Sequence, residues 1–75
     1  LIALSTSGNS QNIVNAIKYI KSKGIKSISL TGNKGGTIKD IGDININISS
    51  NDTQRIQEMH ILVGHIICDL IEKSL

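Results

Sequence analysis

Two rhythms of apolar residues divide the chain. Leu1-Ile2-Ala3-Leu4 is a short continuous apolar run that ends in small polar residues at Ser5. Such a run predicts a strand buried on both faces, as in a parallel sheet. From about Asn9 to Lys23, Ile13, Ala16, Ile17 and Ile20 recur at intervals of three and four, the period of an amphipathic helix. Asn9 or Ser10 is placed to cap that helix and Gly24 to stop it. Ile25 to Leu30 reads as a second strand. Thr37 to Ile41 reads as a short helix ending near Gly42. Ile44, Ile46 and Ile48 alternate with Asn45, Asn47 and Ser49, which predicts a third strand with one polar face. After a capping region at Ser50–Asp52, a long helix is expected from Thr53 to about Lys73.

Strands alternating with helices predict a parallel sheet with right-handed crossovers, an α/β fold in one unit without an internal boundary. The last helix is apolar over a wide arc that includes Ile56, Met59, Ile61, Leu62, Val63, Ile66, Ile67, Leu70 and Ile71. That exceeds the stripe needed to cover one sheet face, so burial on two sides is expected, including a surface outside these residues. Gly64 within it costs about 1 kcal/mol relative to Ala, a cost usually offset by close approach of another backbone. An interior-type strand at residue 1 further suggests that residues 1–75 belong to a longer domain.

Size and composition narrow the functions. A chain of 75 residues buries only about 60% of its unfolded surface, so a lone core is marginal. One cysteine, Cys68, excludes an internal disulfide; amid apolar neighbours it reads as a buried, inert thiol, and with no secretory signal it fits a reducing cytosol. The run Ile61–Ile67 is too short to span a bilayer, so no membrane role is expected. A net charge of +2, one Tyr and neither Phe nor Trp argue against nucleic acid, which needs a stronger basic field or a stacking platform. Lys18, Lys21, Lys23 and Lys26 are adequately explained as a solvated face near a helix C-terminus.

The chemistry concentrates in Ser5-Thr6-Ser7-Gly8-Asn9-Ser10, where a parallel strand ends and a helix begins. Open α/β sheets bind ligands outside the carboxyl ends of their strands. A helix N-terminus offers free N–H groups to an anion. Ser5, Thr6, Ser7 and Ser10 add hydroxyl donors, and Gly8 allows close approach. A phosphate monoester suits this loop; an ordinary capped turn is the plainer alternative. The P-loop spacing and the Gly-x-Gly-x-x-Gly pattern are both absent. The loop Thr31–Gly36 follows the next strand and either lines the same crevice or is a simple turn. On the last helix lie Gln57, Glu58, His60 and His65. His60 and His65, five apart, point to different faces and cannot chelate one ion as a His-x3-His pair does. Glu58 and His65, seven apart, share nearly one face and suit a base and its partner. His60 reads as a structural polar residue, while for His65 structural and functional roles stand level.

These segments together resemble a known family. Ser5–Ser10 is similar to the phosphate loop of sugar isomerase (SIS) domains. Leu30-Thr31-Gly32 with Gly35-Gly36, and Arg55-Ile56-Gln57-Glu58-Met59-His60-Ile61 followed by His65, resemble the phosphoheptose isomerase branch. The matches run in order over essentially the whole chain. The resemblance implies a three-layer α/β/α sandwich of flavodoxin-like type, of which residues 1–75 form the C-terminal half, in a cytoplasmic homotetramer. It also implies that Ser5, Thr6, Ser7 and Ser10 hold a sugar phosphate, that His65 is the catalytic acid/base and a zinc ligand, and that Gln57 contacts metal or substrate. A catalytic glutamate and a further histidine would come from the other half. The implied reaction converts sedoheptulose 7-phosphate to an aldoheptose phosphate for lipopolysaccharide core synthesis. Related SIS proteins without isomerase activity, either sugar-phosphate binders or partners of a replication initiator, are the alternative.

Overall fold

The computed structural model describes residues 1–75. Three parallel strands, β1 (Ile2–Ser5), β2 (Ile28–Gly32) and β3 (Ile44–Ile48), form one sheet in the order β1-β2-β3. Helix α1 (Gln11–Ser22) connects β1 to β2, a 3-10 turn (Ile38–Asp40) lies between β2 and β3, and helix α2 (Thr53–Ser74) follows β3. The register aligns Ala3 with Ser29 and Asn45, and Leu4 with Leu30 and Ile46. Because successive side chains alternate, one sheet face carries Ala3, Ser29 and Asn45 and the other Leu4, Leu30 and Ile46. On the first face Ala3 packs with Val14 and Ile17 of α1 and with Ile38, forming the core. On the second, Ile56 of α2 presses on Gly32, where a Cβ would lie 2.5 Å from Ile56 Cδ1. The result is the expected three-layer α/β/α arrangement.

One boundary and several burial expectations differ from the structure. β2 begins at Ile28 rather than Ile25. The end of α1 is closed by Gly24 N–H donating to Lys21 and Ile25 N–H donating to Ile20, with Gly24 at φ +76°. This paired closure needs a left-handed residue after the cap and uses Ile25 as part of the helix stop. β1 is buried on one face only: Ala3 and Ser5 are buried, while Ile2 and Leu4 are exposed. β1 is an edge strand of this sheet, and a groove bounded by Ile2, Ile28, Ile44, Ile67 and Ile71 stays open between the sheet and the later turns of α2. Cys68 is exposed, not buried. It sits on the part of α2 where Ile66, Leu70 and Ile71 are also exposed, so apolar neighbours in sequence do not enclose it. Apart from its chain neighbours and the surrounding backbone of α2 itself, nothing lies within 4 Å of a Cβ placed on Gly64, so the expected approach of another backbone does not come from these residues. No helix is long and apolar enough to cross a membrane.

The polar face of β3 turns inward. Asn45 Nδ2 donates to Ser29 Oγ at 2.9 Å and to Thr31 Oγ1 at 3.1 Å, and Thr31 Oγ1 donates to Asn47 Oδ1 at 2.8 Å. Ser29 and Thr31 are fully buried, and these bonds offset a desolvation cost that unpaired hydroxyls would incur.

The closest approach to any glycine Cβ position joins the loops after β1 and β2. A Cβ on Gly8 would clash with the Gly35 carbonyl and lie 2.9 Å from the Gly36 nitrogen, and Gly8 has φ +74°. Gly24 has similar φ but open space around it. Gly8→Ala is therefore expected to destabilise the full-length protein by more than the about 1–3 kcal/mol of backbone strain alone, whereas Gly24→Ala incurs only that strain. Urea denaturation of both variants checks this; equal losses would remove the packing argument.

Candidate functional site

All three strands end at the same side of the sheet, and the loops there are tied together by hydrogen bonds. Ile38 N–H donates to Gly8 O at 2.9 Å and Thr37 N–H to Asn9 Oδ1 at 3.0 Å. Asn33, the one non-glycine residue in the left-handed region (φ 54°), is the hub. Its N–H donates to Ser50 O at 3.0 Å, its carbonyl accepts from Asn47 Nδ2 at 3.0 Å, and its own amide donates to Thr6 O at 3.4 Å. Thr31–Gly36 thus buttresses the loop Ser5–Ser10 from behind. Asparagine tolerates this backbone conformation better than most residues.

Within Ser5–Ser10 the hydroxyls differ in availability. Ser5 is buried, and its Oγ accepts from Gly8 N–H at 3.1 Å; Ser7 Oγ accepts from Asn9 N–H at 3.1 Å. Each hydroxyl keeps its own hydrogen to donate outward. Thr6 is half-buried, and Ser7 and Ser10 are exposed. Ser10 is the N-cap of α1, but its side chain makes no capping bond, and the first turn holds no acidic residue. The N-terminus of α2 is closed differently: Asp52 Oδ1 accepts from Gln54 and Arg55 N–H. One helix start is thus satisfied internally by a carboxylate, and the other presents its unpaired N–H groups and positive dipole end to solvent beside the serine loop.

A cleft of about 310 Å³ lies between this loop and α2, lined by Leu4, Ser5, Thr6, Gln57, His60 and Ile61. Its size falls within the usual range for small-molecule sites. The structure therefore brings together Ser5, Thr6 and Gln57, with Ser7 and Ser10 on the adjoining loop. It does not bring His65 to this cleft: His65 is exposed and has no hydrogen-bond partner in the chain. Glu58 and His65 do not pair, because seven residues separate them by about 10 Å along the axis of α2; Glu58 instead forms an exposed ion pair with Arg55, three residues away, at 3.1 Å. The residue that spacing left out is His60. It is buried, lines the cleft, and its Nε2 lies 2.8 Å from Thr31 O.

The SIS domain family model matches residues 1–64. The chain belongs to the SIS domain family. Among curated relatives it is 53% identical over its whole length to a phosphoheptose isomerase of Aliarcobacter butzleri, of which it covers 40%. It is also 51% identical over 97% of its length to one of Helicobacter pylori, of which it covers 38%. Two solved phosphoheptose isomerases have the same fold as this SIS chain. That of Francisella tularensis superposes with a TM-score of 0.91 at 36% identity, covering 97% of this chain and 41% of the other. That of Neisseria gonorrhoeae gives 0.86 at 44% identity, covering 95% and 41%. The chain thus spans about 40% of the length of the relatives it matches.

Proposed function

We propose that these residues are part of a sugar-phosphate aldose–ketose isomerase, a phosphoheptose isomerase that converts sedoheptulose 7-phosphate to D-glycero-D-manno-heptose 7-phosphate for lipopolysaccharide core synthesis. One observation carries the reading: the N-terminus of α1 is left open beside a hydroxyl loop and a cleft, while that of α2 is capped by Asp52. An open helix start with Ser7 and Ser10 on it suits a phosphate dianion. The identities to phosphoheptose isomerases over the whole chain favour this sugar phosphate over others.

In this reading the loop Ser5–Ser10 anchors the phosphate, and that remote binding energy orients the carbon chain. Gln57, at the cleft wall, offers an amide to the sugar. The reaction needs a base to take a proton from the carbon next to the carbonyl and an acid to return one to its neighbour through an enediol. We assign one of these transfers to His65. Its imidazole is free of partners within the chain, and it stands on α2 two turns beyond Gln57, available to a site completed by the remainder of a longer protein. The exposed Ile61, Leu62, Ile66 and Leu70 on the same helix support assembly as a homotetramer.

These residues hold no complete set of zinc ligands. Gln57 and His65 stand eight residues apart on one helix, about 12 Å along its axis. No group of three His, Cys, Asp or Glu converges anywhere in the chain. The residues present do not by themselves fit a zinc site, which takes at least three protein ligands.

Two tests follow. Ser7→Ala and Ser10→Ala in the full-length protein should each weaken sugar-phosphate binding roughly ten- to hundredfold, the loss of one hydrogen bond to a charged group, with little change in Tm. Unchanged Michaelis constants and turnover in both would remove the phosphate assignment. His65→Gln should lower turnover by about 10²–10⁴-fold with the fold and assembly intact; near wild-type turnover would exclude it as the acid/base.

A further inference from the structure

His60 combines burial with an unused polar atom. Only 2% of the residue is exposed, yet it lines the cleft beside Ser5, Thr6 and Gln57. Its Nε2 is 2.8 Å from the Thr31 carbonyl. A carbonyl only accepts, so Nε2 carries a hydrogen and donates it, and in the neutral ring Nδ1 is then a bare acceptor. Nδ1 makes no hydrogen bond in the chain, but no enclosed side-chain nitrogen or oxygen lacks a partner. Nδ1 is therefore not enclosed, and the cleft is the open space that this ring lines.

An acceptor fixed in this way discriminates between ligand groups. A lone pair takes a hydrogen from a hydroxyl and repels a phosphate oxygen, whereas the serine loop and the open start of α1 donate. The two ends of the cleft thus have opposite hydrogen-bond polarity. We propose that His60 is a sugar-binding residue whose Nδ1 accepts a hydrogen bond from a ligand hydroxyl, orienting the carbon chain toward α2 while the phosphate lies on the loop Ser5–Ser10. The assignment rests on the phosphate reading above and adds the residue that reads the sugar.

The bond to Thr31 also gives His60 a structural role, and the test separates the two. His60→Gln keeps an amide nitrogen near the position of Nε2, able to donate to Thr31, and lacks an acceptor at Nδ1. In full-length protein, calorimetric titration of H60Q should show affinity for sedoheptulose 7-phosphate reduced about three- to tenfold, the loss of one neutral hydrogen bond. Affinity for inorganic phosphate should match wild type. Independently of the variant, the ¹⁵N spectrum of histidine-labelled wild-type protein should show His60 Nδ1 without a hydrogen. Its signal should move on addition of sedoheptulose 7-phosphate and stay in place with inorganic phosphate. Wild-type affinity for the sugar phosphate in H60Q, equal weakening of both ligands, or an Nδ1 signal indifferent to the sugar phosphate would each overturn the role of His60. Wild-type protein that binds neither ligand would instead overturn the phosphate reading, and the His60 assignment with it.

Discussion

Gly8 and Gly36 meet at a distance that no side chain permits. A Cβ on either would fall within 3 Å of the other's backbone, and both residues have positive φ. This contact lets the loop after β1 lie flat against the loop after β2, so that Ile38 N–H reaches Gly8 O and Thr37 N–H reaches Asn9 Oδ1. Beside this held loop Ser10 is an N-cap without a side-chain bond, and the start of α1 stays open.

Behind these loops, the polar side chains of β2 and β3 form a continuous hydrogen-bonded set that ends at the cleft. Asn45 donates to Thr31, Thr31 to Asn47, Asn47 to Asn33, and Asn33 to Thr6. Thr31 has a second connection through its carbonyl to His60 of α2. The serine loop on one wall and α2 on the other are thus both referred to the end of the central strand. A buried polar set of this kind is stabilising only while every member is paired, and its value here is positional: it fixes loop and helix relative to each other.

Most of the architecture is legible in the residues because it depends on local periodicity. The Ile44–Ile48 alternation, the three-four spacing of α1 and the capping sequence before α2 each encode their element directly. What fails to be legible depends on partners distant in sequence. The stop at Gly24 delays β2 because the closing bonds use Ile25. The alternating Asn residues of β3 read as one polar face, yet they pair inward with Ser29 and Thr31. The serine loop is recognisable from its hydroxyls. The identity of the histidine at the cleft is not, because helical spacing places His60 and His65 on different faces without saying which face meets a carbonyl. The apolar neighbours of Cys68 in sequence suggest burial, but Ile66, Leu70 and Ile71 are themselves exposed on α2 and do not enclose it.

The open start of α1, with its serine loop, is where we propose that the phosphate group binds. Amide chemical-shift mapping in full-length protein titrated with sedoheptulose 7-phosphate and, separately, inorganic phosphate tests it most directly. Both ligands should shift the amides of Ser7 to Ile13, and inorganic phosphate should leave those of the capped start of α2 at Gln54 and Arg55 in place. Shifts from inorganic phosphate centred on α2, or none at Ser7 to Ile13 with either ligand, would contradict it.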